Sequence, residues 1–370
     1  HPTCRSRAGG NPDRATSCVV GVEHGGTVVS AHPCCTLWMP LDSRLRGNDD
    51  FFSVSLGSQR SGWPSAYPIV SLPESDVMKA LFTLLVLCGL AVSAVAQATI
   101  QVRDDAGQLL VLAAPAKRVV SLAPHVTELL FAAGGGKQVV GVVSHSDYPP
   151  EAQKLPQVGD NRQVDVERLL ALKPDLLVVW RHGNAQRQLE PLRRLGIPLF
   201  YSEPATLAAI PDTLIRLGSL LGTSAQAQLA AGQFSQQLDS LRRQYQQARP
   251  VRVFYQVWDK PLYTLNGQHI VSDALRVCGG VNVFANLPVT APTVTQEAVI
   301  AANPEVMIAG DMGGRGGLDG WQRFPQLTAV RQQLLFTLEA DTLHRPGPRM
   351  LEGTRQLCAR LAQAREVLKK

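Results

Sequence analysis

The sequence lacks any basic run. Its net charge of +6 is spread along 370 residues, and no aromatic platform is interleaved with Lys and Arg, which argues against a nucleic-acid partner. It also lacks catalytic signatures: no Gly-x-Ser-x-Gly elbow, His-Glu-x-x-His helix or Cys-x-x-Cys pair occurs, so nothing points to an enzyme. A membrane span is missing too. From Met78-Lys79 runs "ALFTLLVLCGLAVSAVA", too short and wrongly flanked to span a bilayer. Its small-residue endings, Ala94-Val95-Ala96 and Ala96-Gln97-Ala98, have the layout of a secretory signal peptide, with a buried core helix as the competing reading. Cys88 does not make it a lipid anchor, because Leu87 stands where a small residue is needed. Residues 78–97 are therefore expected to be a cleaved leader, and residues 1–77, which hold Cys4, Cys18, Cys34 and Cys35, an upstream extension outside the product or a disordered one. Cysteine is scarce beyond the leader: only Cys278 and Cys358 remain. In an oxidising compartment they read as one disulfide closing a long loop, or else as two buried thiols.

What the sequence does contain is a repeat. "VERLLALKPDLLVV" at 166–179 and "QEAVIAANPEVMIA" at 296–309 align at an offset of 130. Glu167 meets Glu297, Pro174 meets Pro304, and Asp175 meets Glu305 before an apolar run. Each copy predicts a short helix, a break at proline and a buried strand; generic helix-to-strand junctions alike by chance are the bland alternative. "RVVSL" from Arg118 and "RVFYQV" from Arg252 open each half with a strand. Gly134-Gly135-Gly136-Lys137 is followed by Gln138 rather than Ser or Thr, so it reads as a helix C-terminal turn and not a phosphate loop; "GGRGG" at 313–317 reads as a flexible loop.

Between the halves, Leu207, Ile210, Leu214, Leu217 and Leu221, then Phe234, Leu238, Leu241 and Tyr245, recur at helical spacing. Gly218, Gly222 and Gly232 are possible breaks into two helices, and Pro250 ends the segment. The expected architecture is α/β: an N-terminal lobe over 98–205, a connecting helix or helices over 206–249 and a C-terminal lobe over 250–370. The lobes are pseudo-symmetric, joined by a long backbone helix, with a ligand cleft between them.

Candidate ligand contacts stand where strands end. "SHSDYPPEAQK" (144–154) puts Tyr148 on a stiff loop after the strand-like "VVGVV", and Trp180 directly follows "LLVV", both at the strand edge where open α/β sheets bind ligands. These segments, with "RVVSLAPHVTELLFAAG" (118–134), "LLALKPDLLVVWRHGNAQRQLEPLRRLGI" (169–197), "VCGGVNVF" (277–284) and "EADTLHRPGPRMLEGTRQLC" (339–358), resemble the family of periplasmic cobalamin-binding proteins of ABC importers, which are substrate-binding proteins with a helical backbone. The resemblance runs from about Arg118 to the C-terminus. It implies a corrinoid clasped between two α/β lobes by Tyr148 and Trp180 from the first and Asp341 and Arg345 from the second. It also implies a protein that is monomeric when free, uses no cofactor, carries cobalamin as its transported ligand and docks on a permease dimer in the inner membrane. Glu167 and Glu297 match the family's two docking acids; the bland alternative is that acids favour helix N-termini. Core packing is the plain alternative for Trp180, and a local ion pair for Asp341 with Arg345.

The chain also departs from the family pattern, since Asn161 and Ala291 stand where the enteric members carry cleft tryptophans. Trp258 is the expected replacement from the second lobe, and Trp321 a weaker one. Pro124-His125 lies at the end of the first strand, where His125 lines the cleft or approaches the cobalt. Two rival readings remain. Haem or a ferric siderophore would also use Tyr, Trp and Arg in the same fold. A metal-binding protein or metalloenzyme would draw on His125, His145 and His182.

Overall fold

The computed structural model describes residues 28–30, 36–38, 99–160, 163–184, 186–311 and 317–369. The leader at 78–97 with Cys88, the position Asn161 and most of the glycine loop at 313–317 lie outside the described residues. The chain divides into two units, 1–91 and 92–370. In the first, where no sustained periodicity is expected, the described residues form one antiparallel pair, β1 (Val28–Ser30) and β2 (Thr36–Trp38), from β-branched and aromatic residues.

The second unit opens with an antiparallel hairpin, β3 (Ile100–Arg103) and β4 (Leu109–Leu112). The first lobe follows: β5 (Val119–Ser121), α1 (Pro124–Ala132), β6 (Val139–Val142), α2 (Val166–Ala171), β7 (Leu176–Trp180), α3 (Gln186–Arg194) and β8 (Leu199–Ser202). Its four strands are parallel in the order β6-β5-β7-β8. Helices α4 (Ala209–Leu221) and α5 (Ser224–Tyr245) come next. The second lobe holds β9 (Val251–Gln256), the short hairpin β10 (Trp258–Asp259) and β11 (Leu262–Tyr263), α6 (Ile270–Val277), β12 (Gly280–Asn282), α7 (Gln296–Ala302), β13 (Val306–Asp311), α8 (Thr328–Arg331), β14 (Leu335–Glu339), α9 (Ala340–His344) and α10 (Met350–Leu368). Its parallel sheet runs β12-β9-β13-β14, the same plan as the first.

The repeat read from the sequence is built into the backbone contacts. Asp175 accepts from the Lys117 and Arg118 N–H groups at 2.8 and 2.9 Å, and Glu305 accepts from the Arg252 N–H at 2.8 Å. The Arg118 guanidinium donates to the Leu172 carbonyl behind α2, and Arg252 to the Ala302 carbonyl ending α7. Lys173 and Asn303, one before each proline, share a left-handed backbone with φ of 47° and 40°. In both halves, then, an acid pins the start of the central strand while the strand's arginine caps the helix that precedes the acid.

Parallel strands covered on both faces need apolar residues at every position. In β7, Leu176 and Val178 face one core while Leu177 and Val179 face another. In β13, Val306 and Ile308 alternate in the same way with Met307 and Ala309. The inward face is common to both lobes: Val119 and Leu176 of the first sheet and Val253 and Ile308 of the second join Leu129 of α1, Leu214 of α4, Phe234 of α5 and Leu361 of α10 in one core. Each such side chain contributes roughly 1.5–3 kcal/mol when buried, so the lobes are not independent bodies. The connector is two helices. Gly222 takes the left-handed conformation, φ 70°, and ends α4, which a side chain would disfavour; Gly232 stays helical inside α5. Helix α4 packs on α1 and β3, whereas α5 reaches α1, α6 and α10 and is the backbone helix joining the lobes.

Candidate functional site

The expected site residues gather where strands end. Pro124 occupies the first position of α1, where its missing N–H goes unneeded. Behind β6, Tyr148 precedes Pro149 and a single 3-10 turn, Pro150–Lys154, in which Ala152 N–H donates to the Pro149 carbonyl at 2.9 Å. The two prolines stop the strand and start that turn, which holds Tyr148 outward, 44% exposed.

Trp180 ends β7 half-buried and closely held. Its indole N–H donates to Glu203 Oε1 at 3.3 Å, just past β8. The His125 ring meets it edge-on, with centroids 5.5 Å apart. A Cβ on Gly183 would fall 1.8 Å from the indole, so only glycine fits beneath it. Asn184 accepts from the Trp180 backbone N–H at 2.7 Å and donates to the Leu122 carbonyl at 3.0 Å, tying the ends of β7 and β5 together. This gives the Trp180-x-x-Gly183-Asn184 spacing a structural reason, and Asn184 is a residue that the sequence alone did not single out. His125 does not lie on a loop: it is the second residue of α1 and 3% exposed. Burial drives its pKa down to about 3, opposed by a hydrogen bond to the Ser202 carbonyl and aided by the charge of Arg345. The ring is neutral, and its Nε2 has no partner among the described residues.

The second cluster joins the two lobes. Arg345, which follows α9, pairs with Asp341 at 2.8 Å and with Asp147, the neighbour of Tyr148, at 2.5 Å. Beneath them lies Glu128 of α1, 2% exposed. It accepts from Arg349 Nε at 3.0 Å, Arg349 Nη2 at 2.7 Å and Arg345 Nη1 at 3.4 Å. The Arg349 guanidinium in turn covers the Tyr148 ring, 4.4 Å from its centroid. Burial pushes the Glu128 carboxyl up, against the pull of both arginines. Desolvation would also raise Asp147, but its hydrogen bond and charge contact with Arg345 outweigh that and hold it below the ordinary carboxylate range. Asp147, Glu128 and Arg349 escaped sequence reasoning. The available signal was an acid inside the mostly apolar "VTELLFA".

Trp258, half-buried on the β10–β11 hairpin, donates to the Lys260 carbonyl at 3.1 Å. Trp321 is no cleft residue: it is 3% exposed, packs edge-on against Phe254 and donates to Gln256 at 2.8 Å in the core of the second lobe. Ala291 is exposed. His145 and His182 are exposed, the latter paired with Glu203, and among the described residues no three His, Cys, Asp or Glu side chains converge to hold a metal ion. A cavity of about 330 Å³ lies away from these residues, between α5 and α10, lined by Gln237, Gln244, Tyr245 and Arg355. Glu167 and Glu297 are exposed second residues of α2 and α7, whose N-caps Asp165 and Thr295 accept from Arg168 N–H and Ala298 N–H. Its own backbone N–H and the Thr295 hydroxyl hold the Glu297 carboxyl below the ordinary range.

Residues 119–342 match the family model described as periplasmic binding protein. The chain is 39% identical over 254 residues to the vitamin B12-binding protein of Vibrio cholerae serotype O1, covering 68% of this chain and 91% of that relative. Among solved structures, the periplasmic vitamin B12 binding protein BtuF of Vibrio cholerae superposes with a TM-score of 0.63 at 39% identity, over 68% of this chain and 98% of that one. The periplasmic heme-binding protein RhuT from Roseiflexus sp. RS-1 follows at 0.60 and 28% identity, over 67% and 98%.

Proposed function

Because the chain belongs to the periplasmic binding protein family, we propose that it captures cobalamin or a related corrinoid between its lobes and delivers it to the permease dimer of an ABC importer. It acts as a binding protein and not as an enzyme, exported through the leader at 78–97 and monomeric when free. The observation that carries this reading is the arrangement at the strand ends: a half-buried indole on one strand, and beyond the next an arginine-backed phenol beside a guanidinium from the other lobe. A corrinoid is a broad apolar macrocycle rimmed with amides and carrying a phosphate tail. Aromatic faces bury its plane, and a few fixed donors select its rim. Arg345 supplies such donors in a planar fork; Pro124, His125, Tyr148, Trp180, Trp258 and Asp341 complete the proposed lining. Titrating the purified protein in parallel with cyanocobalamin and haemin, followed by tryptophan quenching and visible absorbance, tests the reading. Saturable binding of cyanocobalamin supports it, and binding of haemin alone replaces it with a haem carrier.

Two substitutions refine it. Trp180→Ala is expected to weaken corrinoid binding by about 1–3 kcal/mol with the fold intact, measured by calorimetry; an unchanged affinity would remove Trp180 from the cleft. Glu167 and Glu297 occupy equivalent exposed positions in the two halves, which suits a partner with two-fold symmetry and paired basic sites. Replacing both with Ala is expected to leave corrinoid affinity unchanged and to reduce importer-dependent uptake about tenfold or more. Normal uptake by the double variant would dismiss the docking role.

A further inference from the structure

The three carboxylates around Arg345 are unequal. The side chains of Asp147 and Asp341 are 48% and 45% exposed, whereas that of Glu128 is 1% exposed. The two exposed pairs are weakened by solvent and readily exchanged. The buried one is different in kind, because a carboxylate removed from water persists only when its lone pairs are fully engaged. Both Arg345 and Arg349 come from the second lobe, more than 200 residues along the chain from Glu128: the sequence separations are 217 and 221. The 345–349 loop packs closely on α1 at this point, and a Cβ on Gly347 would lie 3.6 Å from both Glu128 Oε2 and the His125 carbonyl.

We propose that Glu128 is a positioning residue of the cleft: from inside the first lobe it orients Arg349 against the Tyr148 ring and sets Arg345 so that ligand oxygens replace Asp147 as its partner. The inference rests on the reading of the cleft as a corrinoid site, and it adds a residue that touches no ligand. Arg349 is fixed at two nitrogens by Glu128 and offers its face to Tyr148. With Nη1 shared between Glu128 and Asp147, Arg345 keeps its fork aligned even when the exposed Asp147 lets go. Without the Glu128 charge, both guanidinium groups would turn toward Asp147, Asp341 and solvent, and the aromatic wall would lose its backing.

The test uses the full exported chain and two readouts. In the wild type, the Arg349 Nε–H resonance should be shifted downfield and protected from solvent exchange by its bond to Glu128; in the near-isosteric Glu128→Gln it should move toward the free-arginine position. Stopped-flow measurements should show cyanocobalamin dissociating about tenfold faster from Glu128→Gln. Arg345→Ala should add less than about threefold in that background, although it accelerates dissociation about tenfold in the wild type. A purely structural role predicts instead that the two losses multiply. Should Glu128→Gln fail to fold, Arg349→Lys, which keeps the charge and loses the two-nitrogen grip, should show the same faster dissociation. An unmoved Arg349 resonance, or fully multiplicative losses, would overturn the proposal. If the wild type binds no corrinoid at all, the functional reading fails and the Arg349 resonance alone decides the positioning role.

Discussion

Lowering the pH from 7 to 4.5 is expected to reduce the free energy of unfolding by about 5 kcal/mol, because three imidazoles are held neutral in the fold. Burial lowers His125 to about 3, and His269 and His344 to about 4, from an ordinary value of 6.5. The charge of His344 adds to the depression at His269, and Asp341 partly opposes it at His344. The local contacts agree: His269 Nδ1 accepts the Val271 N–H that starts α6, which a protonated ring cannot do, and His344 Nε2 meets the Tyr255 hydroxyl at 3.0 Å. Below pH 6.5 the unfolded chain takes up protons that the native chain refuses. Stability is therefore fully present above 6.5 and is lost as the pH falls toward the folded values. At pH 4.5 the fully enclosed His125 accounts for roughly 2–3 kcal/mol, and His269 and His344, which keep some contact with solvent, for roughly 1–2 kcal/mol each. Glu128 works in the opposite sense, since its raised carboxyl favours the folded state as acid is added; the depressed Asp147 stabilises the fold throughout this window and loses that contribution only as the pH falls below the ordinary carboxylate range. Urea unfolding at pH 7 and 4.5 reads the difference directly. A flat profile across that window would mean that the three rings are not buried as neutral groups.

The legible parts of this fold are those set by neighbours in the chain. Strands buried on both faces need unbroken apolar runs, so β7 and β13 are visible in "LLVV" and "VMIA". A proline following a short apolar helix marks each junction, and the pairing of Asp175 with Glu305 survives as chemistry, both acids accepting a backbone N–H at the start of a strand. Trp180 is placed because the strand before it ends visibly. His125 is misplaced for the same kind of reason: Pro124 reads as a loop residue after a strand, yet it is also a good first residue for a helix, and the helix begins there. Of three possible glycine breaks in the connector, Gly222 alone takes a left-handed φ and separates the two helices; Gly218 stays helical where a Cβ would fall 2.2 Å from that of Ala227, a contact that composition does not record, and Gly232 stays helical facing open space. The Glu128–Arg345–Arg349 cluster is least legible. Glu128 is 217 and 221 residues from the two arginines, and they meet only because two lobes built to one plan bring their strand ends together. Trp321 is ambiguous in the sequence for a related reason, since only the position of Gln256 on β9 decides that its indole N–H is satisfied inside the lobe.

Removing the disulfide should be nearly as damaging as acid, and without harm to the cleft. Cys278 caps α6 and Cys358 lies in the middle of α10; the two are bonded, 80 residues apart in sequence with Cα atoms 4.7 Å apart, and both are fully buried in the core shared by the lobes. Closing a loop of that length removes about 4.5 kcal/mol of unfolded-state entropy in the chain model, with measured losses usually about 2–5 kcal/mol. Native contacts keep α10 in place once the bond is gone: Leu357, Leu361 and Ala364 stay in the core, and the Arg365 guanidinium donates to the Arg249 carbonyl at 2.7 Å and the Cys278 carbonyl at 2.5 Å. The bond's contribution therefore falls on the unfolded chain more than on the native geometry. A Cys278→Ala, Cys358→Ala double variant is expected to melt about 5–15 °C below the wild type, while its cyanocobalamin affinity stays within about threefold, because Arg349 enters α10 through contacts with Glu128 at the far end of the helix from Arg365. Buried sulfurs also predict that reductant acts on the native protein no faster than the protein opens. A melting temperature within about 2 °C of the wild type would show that residual structure in the unfolded chain already draws α6 and α10 together, leaving the covalent bond little entropy to remove.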